Sequence, residues 1–99
     1  MKINILSSAK KDLVDGYLFY ENRAQSIGNY FLDSLYSDID SLIITAGIQH
    51  IVFNKYFRML SKRFPFAVFY TIESNIIKVA AILDCRQKPA WVRKRLIKV

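Results

Sequence analysis

Apolar residues recur along this chain with two different periods, and the change from one to the other falls near its middle. Ile3 and Ile5 alternate with polar neighbours in the opening segment Lys2 to Leu6, which predicts a short strand. Ala9, Leu13, Tyr17 and Tyr20 then recur every three or four residues and share one stripe of a helix. Ser7 or Ser8 is the residue type that caps such a helix, accepting hydrogen bonds from its free N–H groups. Gly16 inside that run costs roughly 1 kcal/mol against alanine, so close packing is the expected reason for it. After Glu21-Asn22-Arg23 the phase restarts. Ile27, Phe31, Leu35, Ile39, Leu42 and Ala46 predict a second, longer helix, with Asp33, Asp38 and Asp40 mainly on its opposite side. Gly47 is the expected left-handed residue that ends it. Two amphipathic helices joined by a short polar break predict a helical hairpin, each stripe seeking the same sheet.

The second half turns β-branched and aromatic. Val52 to Lys62, Phe66 to Ile72 and Ile76 to Leu83 predict three strands, the last two with period-two patterning. Glu73-Ser74-Asn75 reads as a hairpin turn in which Asn75 takes a positive φ. Pro65 cannot donate to a ladder and belongs at a strand's start. Pro89 suits the first turn of a short C-terminal helix, on which Trp91 pairs with Arg95 and Val92 with Leu96 at i,i+4. The order is β-α-α-β-β-β-α. The fold class is α+β, with an antiparallel sheet packed against an N-terminal helical hairpin and a short C-terminal helix. No repeat, linker or low-complexity stretch interrupts residues 1–99, which are expected to form a single domain.

Charge sharpens this picture because it is one-sided. The net charge is +7, yet residues 1–50 carry four basic and six acidic side chains, whereas residues 51–99 carry eleven basic and two acidic. Such a distribution draws anionic partners, either phosphate backbones or an acidic polypeptide; the plainer alternative is a solvated surface that keeps a small protein soluble. The start meets Ser7-Ser8 and two lysines before a signal-peptide core can form. The longest charge-free run, Ser41 to Asn54, is too short and polar to span a bilayer, so a cytosolic protein with no membrane partner is expected.

Candidate chemistry is narrower. Arg58, Lys62, Arg63, Arg86 and Lys88 come from adjacent strand ends and are expected to converge as phosphate-binding cations, joined by Arg93 and Arg95 of the basic tail. The structural alternative is that Arg63 or Arg86 pairs with Asp84 or the C-terminus. RNA cleavage also needs a general base and an acid. His50 reads as a surface residue, and an arginine beside Asp84 would lower its pKa and weaken it as a base. Tyr70 reads as core with a satisfied hydroxyl, and Trp91 as an anchor fastening the last helix to the sheet. The one cysteine, Cys85, reads as a small half-buried side chain at a strand end. There is no metal-ligand spacing and no cofactor-binding glycine loop, so neither a metal nor a cofactor is expected.

Several segments, taken in order, resemble the RelE/ParE superfamily of bacterial toxins over nearly the whole chain. They are Tyr20-Glu21-Asn22, Ile27-Gly28-Asn29-Tyr30-Phe31, Asp38-Ile39-Asp40-Ser41-Leu42, Phe57-Arg58-Met59-Leu60, Lys62-Arg63-Phe64-Pro65-Phe66, Leu83-Asp84-Cys85-Arg86 and Pro89. The resemblance implies the toxin of a type II toxin–antitoxin pair, neutralised by a small antitoxin seated on apolar grooves of the helical hairpin and a sheet edge. Operon DNA binding would belong to the antitoxin. RelE-like members cut messenger RNA on the ribosome, and ParE-like members poison DNA gyrase. RelE-like enzymes tend to carry an arginine where this chain has Ala67 and a histidine or tyrosine near the C-terminus, where it has Trp91. Many relatives have histidine in place of Asp84. These departures favour the ParE-like branch. The alternatives are a ribosome-dependent endoribonuclease using Arg58, Arg63, Asp84 and Arg86, and an inactive homologue that only binds antitoxin.

Overall fold

The computed structural model describes residues 1–99. Strand β1 (Lys2–Ile5) leads into helix α1 (Ser7–Glu21), followed by α2 (Ile27–Asp40) and the single turn α3 (Leu42–Thr45). Strands β2 (Ile51–Val52), β3 (Tyr56–Leu60), β4 (Phe66–Glu73) and β5 (Ile76–Asp84) precede helix α4 (Pro89–Ile97). The sheet runs in the order β1-β5-β4-β3-β2. It is antiparallel from β2 to β5, while β1 joins β5 in parallel, because the hairpin between them returns the chain to the same end. No helix is long and apolar enough to cross a membrane.

Local chemistry explains most boundaries. Ser74 and Asn75 both adopt positive φ, +50° and +63°, the geometry of a tight turn whose twist matches its strands. Gly47 ends the second helical run with φ +94°. Pro89 occupies the first turn of α4. Three expectations are corrected. Ser7 and Ser8 lie inside α1 and cap nothing; Leu6 precedes the helix without a side-chain cap. The long second helix is interrupted at Ser41, whose hydroxyl turns back to the Asp38 carbonyl at 2.6 Å. The segment from Val52 to Lys62 is not one strand: Phe53 and Asn54 both take positive φ and fold β2 back on β3.

The two helices of the hairpin approach closely through their glycines. A Cβ on Gly16 would overlap the Phe31 ring, and one on Gly28 would sit 2.7 Å from the Tyr17 ring. Glu21, the last residue of α1, accepts from the backbone N–H groups of Ser26 (3.1 Å) and Gly28 (2.9 Å), which caps α2 from its neighbour.

The sheet has a covered face on each side. Ala9, Leu13, Phe31, Leu35 and Ile39 of the hairpin bury Val68, Tyr70, Ile77, Val79 and Ile82. Val92 and Leu96 of α4 bury Ala67, Phe69, Ala80, Ala81 and Leu83 on the other side. A register shift at Phe69/Tyr70 places two consecutive alanines, Ala80 and Ala81, toward α4. Thus the second face is not an open cationic landing surface: α4 lies on it, with Arg93 and Lys94 exposed and Arg95 turned toward α1.

Where β1 ends, the outer edge of β5 continues without a strand partner. Side chains of α1 take over its hydrogen bonds: Ser8 donates to the Ala80 carbonyl at 2.7 Å, and Asp12 accepts from the Ile82 N–H at 3.0 Å. The other Asp12 oxygen pairs with Arg95 at 2.6 Å, fastening α4 to α1 across the end of the sheet.

Candidate functional site

The cationic residues of the second half separate into three groups. Arg58 projects from β3 on the α4 side and lines a cavity of about 230 Å³ with Phe53, Phe69, Asp84, Gln87 and Pro89. Its position follows from strand parity: Tyr56 and Arg58 share a face, opposite to Phe57 and Met59. Arg93 reaches the same region, with its guanidinium 5.5 Å from the centre of the Phe53 ring. Phe53 itself is held at φ +54°, a conformation costing about 1–2 kcal/mol for a non-glycine residue.

The second group lies at the end of β5. Arg86 donates to both Asp84 oxygens, Nε at 2.9 and 3.2 Å and Nη2 at 2.6 Å, in a forked pair. Its backbone N–H adds a bond of 2.8 Å to the same carboxylate. Hydrogen bonds from the Arg86 side chain hold the Asp84 carboxyl below the ordinary carboxylate range, and the pairing raises Arg86 in turn. Asp84 is therefore a weak base, and the structural alternative for Arg86 is realised. Tyr20 from α1 stands beside this pair; burial pushes its phenol up, with Arg86 opposing. The turn carrying Lys62 and Arg63 is pinned to the same end, because Cys85 donates to the Pro65 carbonyl at 2.8 Å. Lys62, Arg63 and Lys88 are exposed there with no salt-bridge partner.

The third group is Arg95 alone. Its guanidinium binds Asp12 and the Ser8 carbonyl (3.2 Å), with the side chain only 23% exposed, so it is spent on holding α4. It is not displayed with the other cations.

Other expected residues also move. Cys85 is exposed, not half-buried. Asp38 is buried, not on the outer side of its helix: it accepts from the Ser61 hydroxyl at 2.7 Å and the Lys62 N–H at 3.3 Å, anchoring the β3–β4 turn. Tyr70 is fully buried with its hydroxyl satisfied by the Gly47 N–H (2.9 Å) and Gln49. His50 lies on the surface. Trp91 is 45% exposed and borders a crevice with Phe19 and Asp15, so Val92 and Leu96, not Trp91, anchor α4. Trp91→Ala is accordingly expected to change stability by no more than about 1 kcal/mol. A fall in melting temperature as large as a buried aromatic produces would show that the indole packs as an anchor after all.

The roles of Asp12 and Asp38, and the place of Tyr20 beside the Asp84–Arg86 pair, are not written locally, because their partners lie far along the chain. The only available signal was Asp12 beside Leu13, at the edge of the apolar stripe. No group of three or more histidine, cysteine, aspartate or glutamate side chains stands close enough to hold a metal ion.

No protein-family model matches this chain, and no curated protein matches it significantly. Its fold is similar to that of a solved structure described as "Chromosomal ParDE TA system from P. aeruginosa". The TM-score is 0.77 at 15% sequence identity, over 83% of this chain and 92% of the other. The α+β architecture is therefore shared with that chain, at a sequence distance where only the fold is carried across.

Proposed function

We propose that this protein is the toxin of a type II toxin–antitoxin pair, arresting growth by ParE-like inhibition of DNA gyrase and neutralised by a cognate antitoxin. The observation that carries the reading is the fold likeness to a ParDE system over most of both chains. Two features of the site favour a binding toxin over a nuclease. Asp84, which lines the cavity with Arg58, is tied up and acidified by Arg86, and the exposed His50 meets Arg58 through its backbone carbonyl, which accepts from the Arg58 N–H at 3.0 Å. The displayed cations, Arg58, Lys62, Arg63, Lys88 and Arg93, together with Arg86, form the surface that meets an anionic or acidic target. The antitoxin, an acidic partner, would take the apolar groove between α1 and α2, lined by Leu13, Val14, Tyr17, Leu32 and Tyr36.

The test is induction of the protein alone in a bacterial host, followed by supercoiling assays with purified gyrase and mapping of new messenger RNA 5′ ends. Growth arrest with inhibited supercoiling and no new ends supports the proposal. Codon-phased cuts would replace it with the endoribonuclease reading, and the absence of arrest would leave an antitoxin-binding homologue. Arg63→Ala and Arg86→Ala are each expected to weaken the arrest at least tenfold with the circular dichroism spectrum unchanged, since exposed substitutions rarely cost more than about 0.5 kcal/mol. Undiminished arrest in both variants would remove these arginines from the target surface.

A further inference from the structure

Arg58 is the one cation that lines the cavity of about 230 Å³ on the α4 side of the sheet. It is half-buried on β3, directly opposite Phe69 in the β3–β4 ladder. Its side chain enters none of the ion pairs or side-chain hydrogen bonds of the fold. Asp84 lines the same cavity, but both of its oxygens accept from Arg86. Arg93 adds no second charge inside, because its guanidinium lies over the Phe53 ring and it lines the neighbouring cavity instead.

Most of the remaining wall is apolar. Val52, Ala67, Leu83, Pro89 and Val92 contribute to it, and Phe53, held at φ +54° between β2 and β3, adds an aromatic ring. A cation partly withdrawn from water without a counter-charge is unfavourable by itself and is relieved when an anion arrives. The cavity is therefore built for one negative charge on an apolar body.

We propose that it receives the carboxylate of an acidic side chain carried on an otherwise apolar polypeptide segment. A carboxylate matches the guanidinium fork with two parallel hydrogen bonds, while the neighbouring methylene and apolar groups cover the wall. Size and charge both argue against a nucleotide here. The cavity is smaller than the roughly 300–1,000 Å³ of pockets that enclose a whole small-molecule ligand. A phosphodiester strand, charged at every residue, would also set further anions against the apolar wall and the Asp84 carboxylate. One acidic side chain instead places one charge on one cation. The inference rests on the proposed function only for the source of the segment: in a toxin–antitoxin pair it is the antitoxin, whose acid covers Arg58 and withdraws it from the target surface.

The test is a titration of the nitrogen-15-labelled full chain with two capped tripeptides, acetyl-Leu-Glu-Leu-amide and acetyl-Leu-Gln-Leu-amide, followed by NMR. The glutamate peptide is expected to shift the Arg58 Nε–H signal together with the backbone N–H signals of Phe53, Ala67 and Val92, with a millimolar dissociation constant. The glutamine peptide should bind about tenfold more weakly, because it loses the charge from the hydrogen-bonded pair. Arg58→Met should abolish the response without lowering the melting temperature, since it removes an uncompensated charge. Lys11→Met, an equal loss of charge on exposed α1, should leave the response unchanged. Arg58→Lys keeps the charge without the planar fork; it should give an intermediate affinity and replaces the methionine variant if that chain does not fold. Equal binding of the two peptides, a response that survives loss of the guanidinium, or no response at all would overturn the inference. So would a short oligothymidylate that shifts these signals where the glutamate peptide does not, which would give the cavity to nucleic acid. Neither growth arrest nor supercoiling enters this measurement, so a negative result removes the pocket and leaves the toxin reading to its own assays.

Discussion

Phe31→Ala is expected to destabilise the protein by about 3–5 kcal/mol, the range for truncating a fully buried phenylalanine. Phe31 is 0% exposed and sits where α1, α2 and the β3–β4 turn meet. Its ring stacks on Tyr20 at 5.2 Å and meets Phe64 and Phe66 edge-on at 5.2 and 5.0 Å. Phe64 extends the same cluster to Tyr20 (4.9 Å) and Tyr30 (5.4 Å), so removing Phe31 leaves a gap in the centre of an aromatic group. The loss approaches the whole stability of a typical small domain, and urea unfolding measures it directly. Gly16 supplies the internal control. A methyl group there overlaps the Phe31 ring, so Gly16→Ala alone should destabilise despite the better helix propensity of alanine. In a Phe31→Leu background the ring is gone, and the same substitution should cost less or become favourable. Additive effects in the double mutant would show that the two residues do not compete for one space.

Elements written by local chemistry were legible: the Ser74-Asn75 turn, Gly47 as terminator, Pro89 opening α4, and Gly16 as a point of close approach. Each depends on residues within a few positions, or on the absence of a side chain. The misreadings share a different cause. Asp12 and Asp38 have helix spacing ambiguous between face and flank, and each is buried because a partner 23 to 83 residues away satisfies it. Ser8 looked like a cap and instead serves the sheet edge 72 residues on. The paired alanines, Ala80 and Ala81, break the alternation of β5 only because β4 shifts register opposite them. The candidate site was legible as a set of cations, but not in its division. The pairing of Arg86 with Asp84 was legible as an alternative, two residues apart, but only the fold assigns Arg58 to a cavity and Arg95 to Asp12. The parallel placement of β1 beside β5 was likewise invisible, since pairing partners leave no trace in a strand of four residues.

Asp12→Ala is the second substitution expected to be severe, at about 2–4 kcal/mol. Asp12 serves two elements at once. One oxygen accepts the Ile82 N–H that β1 is too short to reach, and the other holds the Arg95 guanidinium. Alanine leaves a strand-edge donor without an acceptor and Arg95 without its counter-charge. Water reaching the 23%-exposed Arg95 side chain keeps the loss below that of a fully enclosed pair. Asp12→Asn retains an acceptor for Ile82 and should cost less. The pH dependence then separates desolvation from pairing. Burial is the largest influence on Asp12 and raises its pKa above the ordinary 3.8, although the Ile82 N–H and Arg95 pull the other way. The folded chain therefore holds a proton on Asp12 at pH values where the unfolded chain has released it. Its contribution to stability is greatest below 3.8 and falls as pH rises through the raised folded value. Asp84 and Glu73, held low by Arg86 and Lys78, have the opposite sign: their contributions are present above their ordinary values and are lost on acidification. Asparagine cannot titrate, so the stability of the wild type minus that of Asp12→Asn isolates the first effect from the others. That difference, from urea unfolding at intervals between pH 3 and 7, should decrease as pH rises. An increase would mean that the ion pair with Arg95 outweighs the burial of the carboxylate, and that α4 is held chiefly by charge.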